Sequence, residues 1–215
     1  MLTSPISIRE LEDKEEAAKG RTSESTQRYE HRVAKAMRKA YPFDEDSTEM
    51  MDFACGKGRI ARGLAPYCKS VVGVDNNQAM VDFFAEKINN QGIPPEEMRV
   101  VCGDLKGERS ELGGQKFDVV VCSAAYHHFE LVNDTTRTLA FFLKPGGCLL
   151  VVDFMKTEQP VQEDVPHRWG FTEEDIRKAF NDAGLQRFSF NQFTKAKFHG
   201  QGVDLFLAKG TKPTV

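Results

Sequence analysis

Apolar positions along this 215-residue chain change their period several times. From Thr22 the stretch "SESTQRYEHRVAKAMRKAYP" places Tyr29, Val33, Met37 and Ala40 at steps of three and four, which predicts a helix stopped by Pro42. Short apolar runs then alternate with helical stretches. "EMMDFAC", "SVVGVD", "MRVVCGD", "KFDVVVCSA" and "CLLVVDF" read as strands. "GRIARGLAPY", "NNQAMVDFFAEKINNQG" and "LVNDTTRTLAFFL" read as helices between them, and "ERSEL" as a short one. "FTEEDIRKAFNDAG" is the clearest helix: Thr172 suits the N-cap, Asp175 the N3 position, and Gly184 the stop. "LQRFSFNQF" and "GVDLFLAKG" follow as strands with no long helix between them.

The five alternating strands are almost continuously apolar, as burial on both faces requires, so they predict a parallel sheet with helices on each side. The last two strands predict an antiparallel pair that ends the sheet. No internal repeat or linker divides the chain. Residues 1–20 form a polar leader, expected to be weakly ordered, and residues 21–215 form a single domain.

Composition narrows the picture little: charged residues are 28% of the chain and the net charge is −3, which argues against a chain-wide basic surface for nucleic acid. The face of the first helix carrying Arg28, Arg32, Lys35 and Lys39, and the later Lys195, Lys197 and His199, read as solvated or as a patch for an anionic partner. No apolar run reaches the roughly 20 residues of a membrane span, and the leader lacks the apolar core of a secretory signal. Five cysteines with no CxxC spacing point to small buried hydrophobes in a reducing, cytoplasmic setting, and to no metal site.

Candidate chemistry concentrates at the ends of the strands. In "DFACGKGRIA", Gly56, Gly58 and Ala61 fit G-x-G-x-x-G/A. Gly56 would permit a tight turn, Gly58 close approach of a ligand, and Ala61 tight helix packing. Asp75 ends the second strand, where an acidic side chain meets ribose hydroxyls. These features together predict an adenine nucleoside. They do not separate NAD from S-adenosylmethionine (SAM).

Beyond the loop, the chain resembles the class I SAM-dependent methyltransferases. "DFACGKG" is similar to their first motif, with Ala54 where that family usually has glycine. "GVDNNQAMV" resembles the ribose motif, "CGDL" the motif beside the adenine, and "FDVVVCSAAYHHF" and "LKPGGCLLVVDF" the fourth-strand motif and the turn and strand after it. The resemblance implies a Rossmann-like three-layer sandwich with a mostly parallel, seven-stranded sheet ending in the antiparallel pair. It implies SAM as cofactor, with S-adenosylhomocysteine as its product. The SAM-binding residues it implies are Asp52, Ala54, Gly56, Gly58, Asp75, Asn76, Met80, Asp104, Leu105, Ser123 and Ala124. Met80 has the alternative of a place in the core.

The reaction implied is methyl transfer to an O, N, S or C atom, with a small molecule as the expected acceptor. Tyr126, His127 and His128, after the fourth strand, are the catalytic candidates; a neutral histidine could accept a proton, or one of the pair could be structural. Tyr29, Asp153, His167, Arg168 and Trp169 are candidate substrate contacts, with the first helix and the loop 161–170 as the lid. Asp153 could instead cap a loop, and Trp169 could instead anchor one. The competing functions are a protein or RNA methyltransferase, an NAD-dependent oxidoreductase and a non-catalytic SAM-binding module. The oligomeric state stays open.

Overall fold

A computed structural model describes residues 24–198 and 201–214. The leader 1–20 and His199 lie outside the described residues, as do the side chains of Arg28 and Lys197. In chain order the elements are α1 (Glu24–Ala40), β1 (Glu49–Phe53), α2 (Arg59–Leu64), β2 (Ser70–Asp75), α3 (Gln78–Asn90), β3 (Met98–Cys102), β4 (Phe117–Ser123), α4 (Val132–Phe142), β5 (Leu143–Phe154), α5 (Glu173–Asp182), β6 (Gln186–Phe198) and β7 (Gln201–Thr211).

The seven strands form one sheet in the order β3-β2-β1-β4-β5-β7-β6. β1 to β5 are parallel, and β7 lies antiparallel to both β5 and β6. Successive side chains of a strand point to opposite faces, and the central strands use both. Met51, Val120, Leu149 and Val151 pack with Leu139 and Phe142 of α4 and Ile176 and Phe180 of α5. Met50, Val119, Val121, Leu150 and Val152 pack with Val33 and Met37 of α1, Ile60 and Leu64 of α2, and Phe84 and Ile88 of α3. The result is the three-layer sandwich that the apolar strands require.

Local chemistry sets the boundaries. Asn77 caps α3 by accepting the Ala79 N–H (3.0 Å), and Gly92 (φ 66°) follows its end. Thr172 and Asp175 form a reciprocal capping box at the start of α5. Three expectations change. "ERSEL" forms no α-helix: a 3-10 turn spans Glu111–Gly114, with Leu112 at φ 51°. Pro66 lies within a 3-10 turn, Ala65–Tyr67, after α2 has ended. "LKPGG" is part of β5: the ladder to β4 shifts register between Phe117 and Val119, and Gly146 and Gly147 exchange hydrogen bonds with Lys212. The sheet absorbs this turn as an irregularity because β7 supplies partners for its backbone.

Cys55, Cys122 and Cys148 are buried, Cys68 is half-buried and Cys102 is exposed at the end of the edge strand. Burial raises the thiol pKa at each of the first four. No helix among the described residues is long and apolar enough to cross a membrane.

Candidate functional site

The sheet order reverses between β1 and β4, and in such folds ligands bind beyond the carboxyl ends of the strands at that point. The segment between β1 and α2 crosses this edge with three residues in the left-handed region: Ala54 (φ 54°), Gly56 (φ 51°) and Gly58 (φ 69°). The two glycines have different reasons. A Cβ at Gly56 would meet no described atom within 4 Å, so only its backbone angle calls for glycine. A Cβ at Gly58 would stand 2.3 Å from the Phe84 ring. Gly58 is therefore required for seating α3 against the loop, where the sequence suggested close approach of a ligand.

Two carboxylates organise the loop. Asp52, 2% exposed, accepts the Ala61 N–H (3.0 Å) and holds the first turn of α2. Burial pushes its pKa up to about 7; the Ala61 N–H opposes this and the nearby Asp75 adds to it. Asp75 ends β2, and one oxygen accepts the Gly56 N–H (2.7 Å) while the other accepts the Asn77 N–H (2.9 Å). A carboxylate has about four acceptor positions, so each oxygen retains capacity for a hydroxyl donor.

Beside Asp75 lies a cleft of about 230 Å³, somewhat under the roughly 300–1,000 Å³ of drug-sized pockets and of a scale for a nucleoside portion. Phe53, Ala54, Asp75, Asn76, Asp104 and Leu105 line it from the β1, β2 and β3 ends. Phe129, Leu131, Asp134, Thr135 and Thr138 close it from the segment after β4. The Asp104 carboxylate pairs with Lys106 Nζ.

A second polar group sits at the ends of β4 and β5. His127 is 1% exposed, and its Nδ1 lies 2.8 and 3.1 Å from the two oxygens of Asp153. Asp153 is fully buried and also accepts the backbone N–H of His127 (3.2 Å) and of Phe154 (2.7 Å). The Nε2 of His127 is buried with no hydrogen-bond partner among the described residues. The rings of His128 and Phe154 lie tilted against that of His127, at 4.2 and 4.8 Å between centroids. The loop after β5 rests here, since the His167 N–H donates to the His127 carbonyl (3.1 Å). Tyr29 of α1 reaches the same edge, its hydroxyl 3.1 Å from Ser123 Oγ.

A family profile described as a methyltransferase domain matches residues 51–151. An uncharacterized methyltransferase of Schizosaccharomyces pombe is 38% identical over 149 residues, covering 63% of this chain and 52% of that protein. The uncharacterized methyltransferase YcgJ of Bacillus subtilis is 30% identical over 115 residues, covering 54% and 44%. The crystal structure of YcgJ superposes with a TM-score of 0.68 at 19% identity, covering 85% of this chain and 99% of that one. Residues 51–151 are thus similar to methyltransferase domains, and the chain shares the fold of the YcgJ structure.

The chain spans about half the length of the curated relatives it matches. The family's cofactor is SAM, and a phosphoethanolamine N-methyltransferase 2 of Haemonchus contortus, solved with SAM, shares the fold (TM-score 0.65, 15% identity, 84% of this chain and 52% of that one). The residues present fit such a group: Asp75, in the cleft wall, keeps acceptor capacity, and Asn76, Asp104 and Leu105 line the same cleft.

Several of the expected site residues lie outside the cleft wall. Asp52 and Gly58 face inward and do not line the cleft. Met80 is neither in the cleft wall nor in the described core; it is half-exposed on the first turn of α3. Ser123 and Ala124 (φ 51°) lie outside the nucleoside cleft, at the edge reached by Tyr29. Tyr126 is fully buried, its hydroxyl 3.1 Å from Thr136 Oγ1, and burial raises its pKa well above the ordinary phenol value. It is a core residue in this structure. Asp153 is fully buried, with His127 Nδ1 2.8 Å from its carboxylate. Trp169 is 36% exposed, with Arg168 5.7 Å from its ring; its carbonyl accepts the Thr157 N–H, one of several backbone bonds that hold the loop. Arg168 also lies 3.8 Å from Glu163, and the His167 ring packs on Phe171.

The closing wall from Phe129 to Thr138 was missed in the sequence. The sequence carried no local signal for it: Leu131, 64% exposed, follows Glu130 in a stretch of mixed polar and apolar residues. Among the described residues no group of three or more His, Cys, Asp or Glu could hold a metal ion.

Proposed function

We propose that this chain transfers the methyl group of SAM to a nucleophilic atom of a small-molecule acceptor. The observation that carries this reading is Asp75, fixed by two backbone N–H groups at the lip of a cleft with acceptor capacity to spare. In the proposal Asp75 takes the ribose hydroxyls, and Asn76, Asp104 and Leu105 border the adenine. Ala54, Gly56 and the backbone at Ser123 and Ala124 lie along the methionine portion. Asp52 and Gly58 act through the loop they shape. The bound sulfonium supplies an activated methyl group, and the chain's own work is to hold an acceptor in line and to keep water out.

Acceptor size is argued from what stands over the edge. Helix α1 packs against it as a lid through Tyr29 and Ser123, and the loop 156–170 leans on His127. These covers favour a small acceptor over a macromolecule, and His167, Arg168, Trp169 and Tyr29 are the residues proposed to face it. Arg32, on the basic face of α1, is already engaged by Thr194 and the Lys195 carbonyl.

Calorimetric titration with SAM and with NAD tests the cofactor: saturable SAM binding is expected, and NAD binding without SAM binding would overturn the reading. A screen of hydroxyl, amine, thiol and activated-carbon acceptors with methyl-labelled SAM tests the reaction. A chain that binds SAM but labels none of them would be a binding module.

A further inference from the structure

The Nε2 of His127 poses a physical question. Buried polar atoms are nearly always hydrogen-bonded, and this one has no partner among the described residues. The other ring nitrogen lies 2.8 Å from the Asp153 carboxylate. Asp153 accepts three N–H groups, from His127 Nδ1, the His127 backbone and the Phe154 backbone. An ionised carboxylate is acceptor-only, so Nδ1 must carry the hydrogen. In the neutral imidazole Nε2 is then the lone-pair nitrogen.

We propose that Asp153 is a positioning residue that fixes the tautomer of His127, and that Nε2 receives the proton of an acceptor O–H, N–H or S–H group during methyl transfer. The proposal rests on the methyltransferase reading above and narrows its substrate class to acceptors whose nucleophilic atom bears a hydrogen. As the step runs, the acceptor's lone pair forms the new bond to the methyl carbon. The carbon–sulfur bond of the sulfonium donor breaks, with its electron pair going to sulfur. The acceptor's proton passes to Nε2, and the Asp153 carboxylate holds the imidazolium until it returns the proton to solvent. The rings of His128 and Phe154 and the loop bearing His167 surround His127. An acceptor must shift part of that cover, and the loop 156–170 is joined to His127 by a single backbone hydrogen bond. The partner that Nε2 lacks would be the acceptor's own hydrogen.

Two measurements decide this. In protein labelled with 15N-histidine and free of SAM, long-range proton–nitrogen spectra should show the His127 hydrogen on Nδ1 and a bare Nε2; a hydrogen on Nε2 overturns the proposal. Asp153→Asn puts an amide donor against groups that are themselves donors, so the ring should change to the Nε2–H form. With the best acceptor from the labelled-SAM screen, kcat should then fall by roughly 10²–10⁴-fold, the range for losing general-base assistance, while KM and SAM affinity stay within about twofold. A folded D153N protein with kcat within about tenfold of wild type overturns the proposal. If D153N does not fold, His127→Gln carries the same kinetic comparison. Absence of SAM binding or of any methyl transfer by the wild-type chain fails the parent reading, whereas intact transfer with unchanged D153N kinetics fails only this one.

Discussion

At the scale of single residues, the loop between β1 and α2 separates two kinds of requirement. Gly58→Ala would force a Cβ into the Phe84 ring and into a left-handed backbone. We expect a loss of about 2–4 kcal/mol, read by urea denaturation, from overpacking and backbone strain together. Gly56→Ala meets only the backbone term and should cost about 1–2 kcal/mol. Asp75→Ala should weaken SAM binding by about 1–3 kcal/mol with the fold intact; unchanged affinity by calorimetry would remove Asp75 from the site. Asp52 makes a prediction in pH. Its folded pKa, about 7, lies above the usual 3.8. The native state therefore holds the proton more tightly than the unfolded chain, and the contribution of Asp52 to stability falls as pH rises from about 4 to 7. Asp52→Asn, which can keep the Ala61 hydrogen bond, should gain on wild type across that window by about 1–4 kcal/mol. A constant stability difference from pH 4 to pH 8 would refute this.

At the scale of elements, α5 shows how much a helix start contributes. Thr172 and Asp175 satisfy each other's backbone N–H groups, and the helix they begin buries Ile176, Ala179 and Phe180. Thr172→Ala should lower stability by about 0.5–2 kcal/mol in thermal or urea melts. Elements that announce themselves by such local rules were readable in advance: the α5 capping box, the stop of α5 at Gly184, and the stripe Tyr29–Val33–Met37–Ala40 of α1. Two others were not. "ERSEL" has helix-forming residues but too short a run, and Leu112 turns left-handed instead. "LKPGG" carries turn residues, yet its backbone is paired by Phe117 and by Lys212 from distant strands. In each case the deciding partner lies elsewhere in the chain.

At the scale of the whole molecule, ligand and fold should be linked. If SAM binds only the native state, SAM at 100 times its Kd stabilises the chain by about 2.7 kcal/mol. At about 2–4 °C per kcal/mol for a domain of this size, the melting temperature should rise by about 5–10 °C, and NAD should leave it unchanged. An equal shift by both nucleotides would argue against a SAM-selective cleft. The site draws on the ends of β1 to β5 and on both helical layers. It exists only when the central strands hold their register, so its affinity and the global stability should fall together in core variants.

The sequence by itself determined the alternation of buried strands and amphipathic helices, the antiparallel ending, the resemblance to methyltransferases, and the presence of Asp75 beside a glycine turn. Those follow from periodicity and from residue chemistry at short range. Only the tertiary structure decided which way each candidate faces. Strand ends bring together residues far apart in sequence, so side-chain direction there depends on register and on packing across the sheet. That packing put Tyr126 in the core, turned Gly58 towards Phe84, buried Asp153 beside His127, and built the outer cleft wall from Phe129 to Thr138.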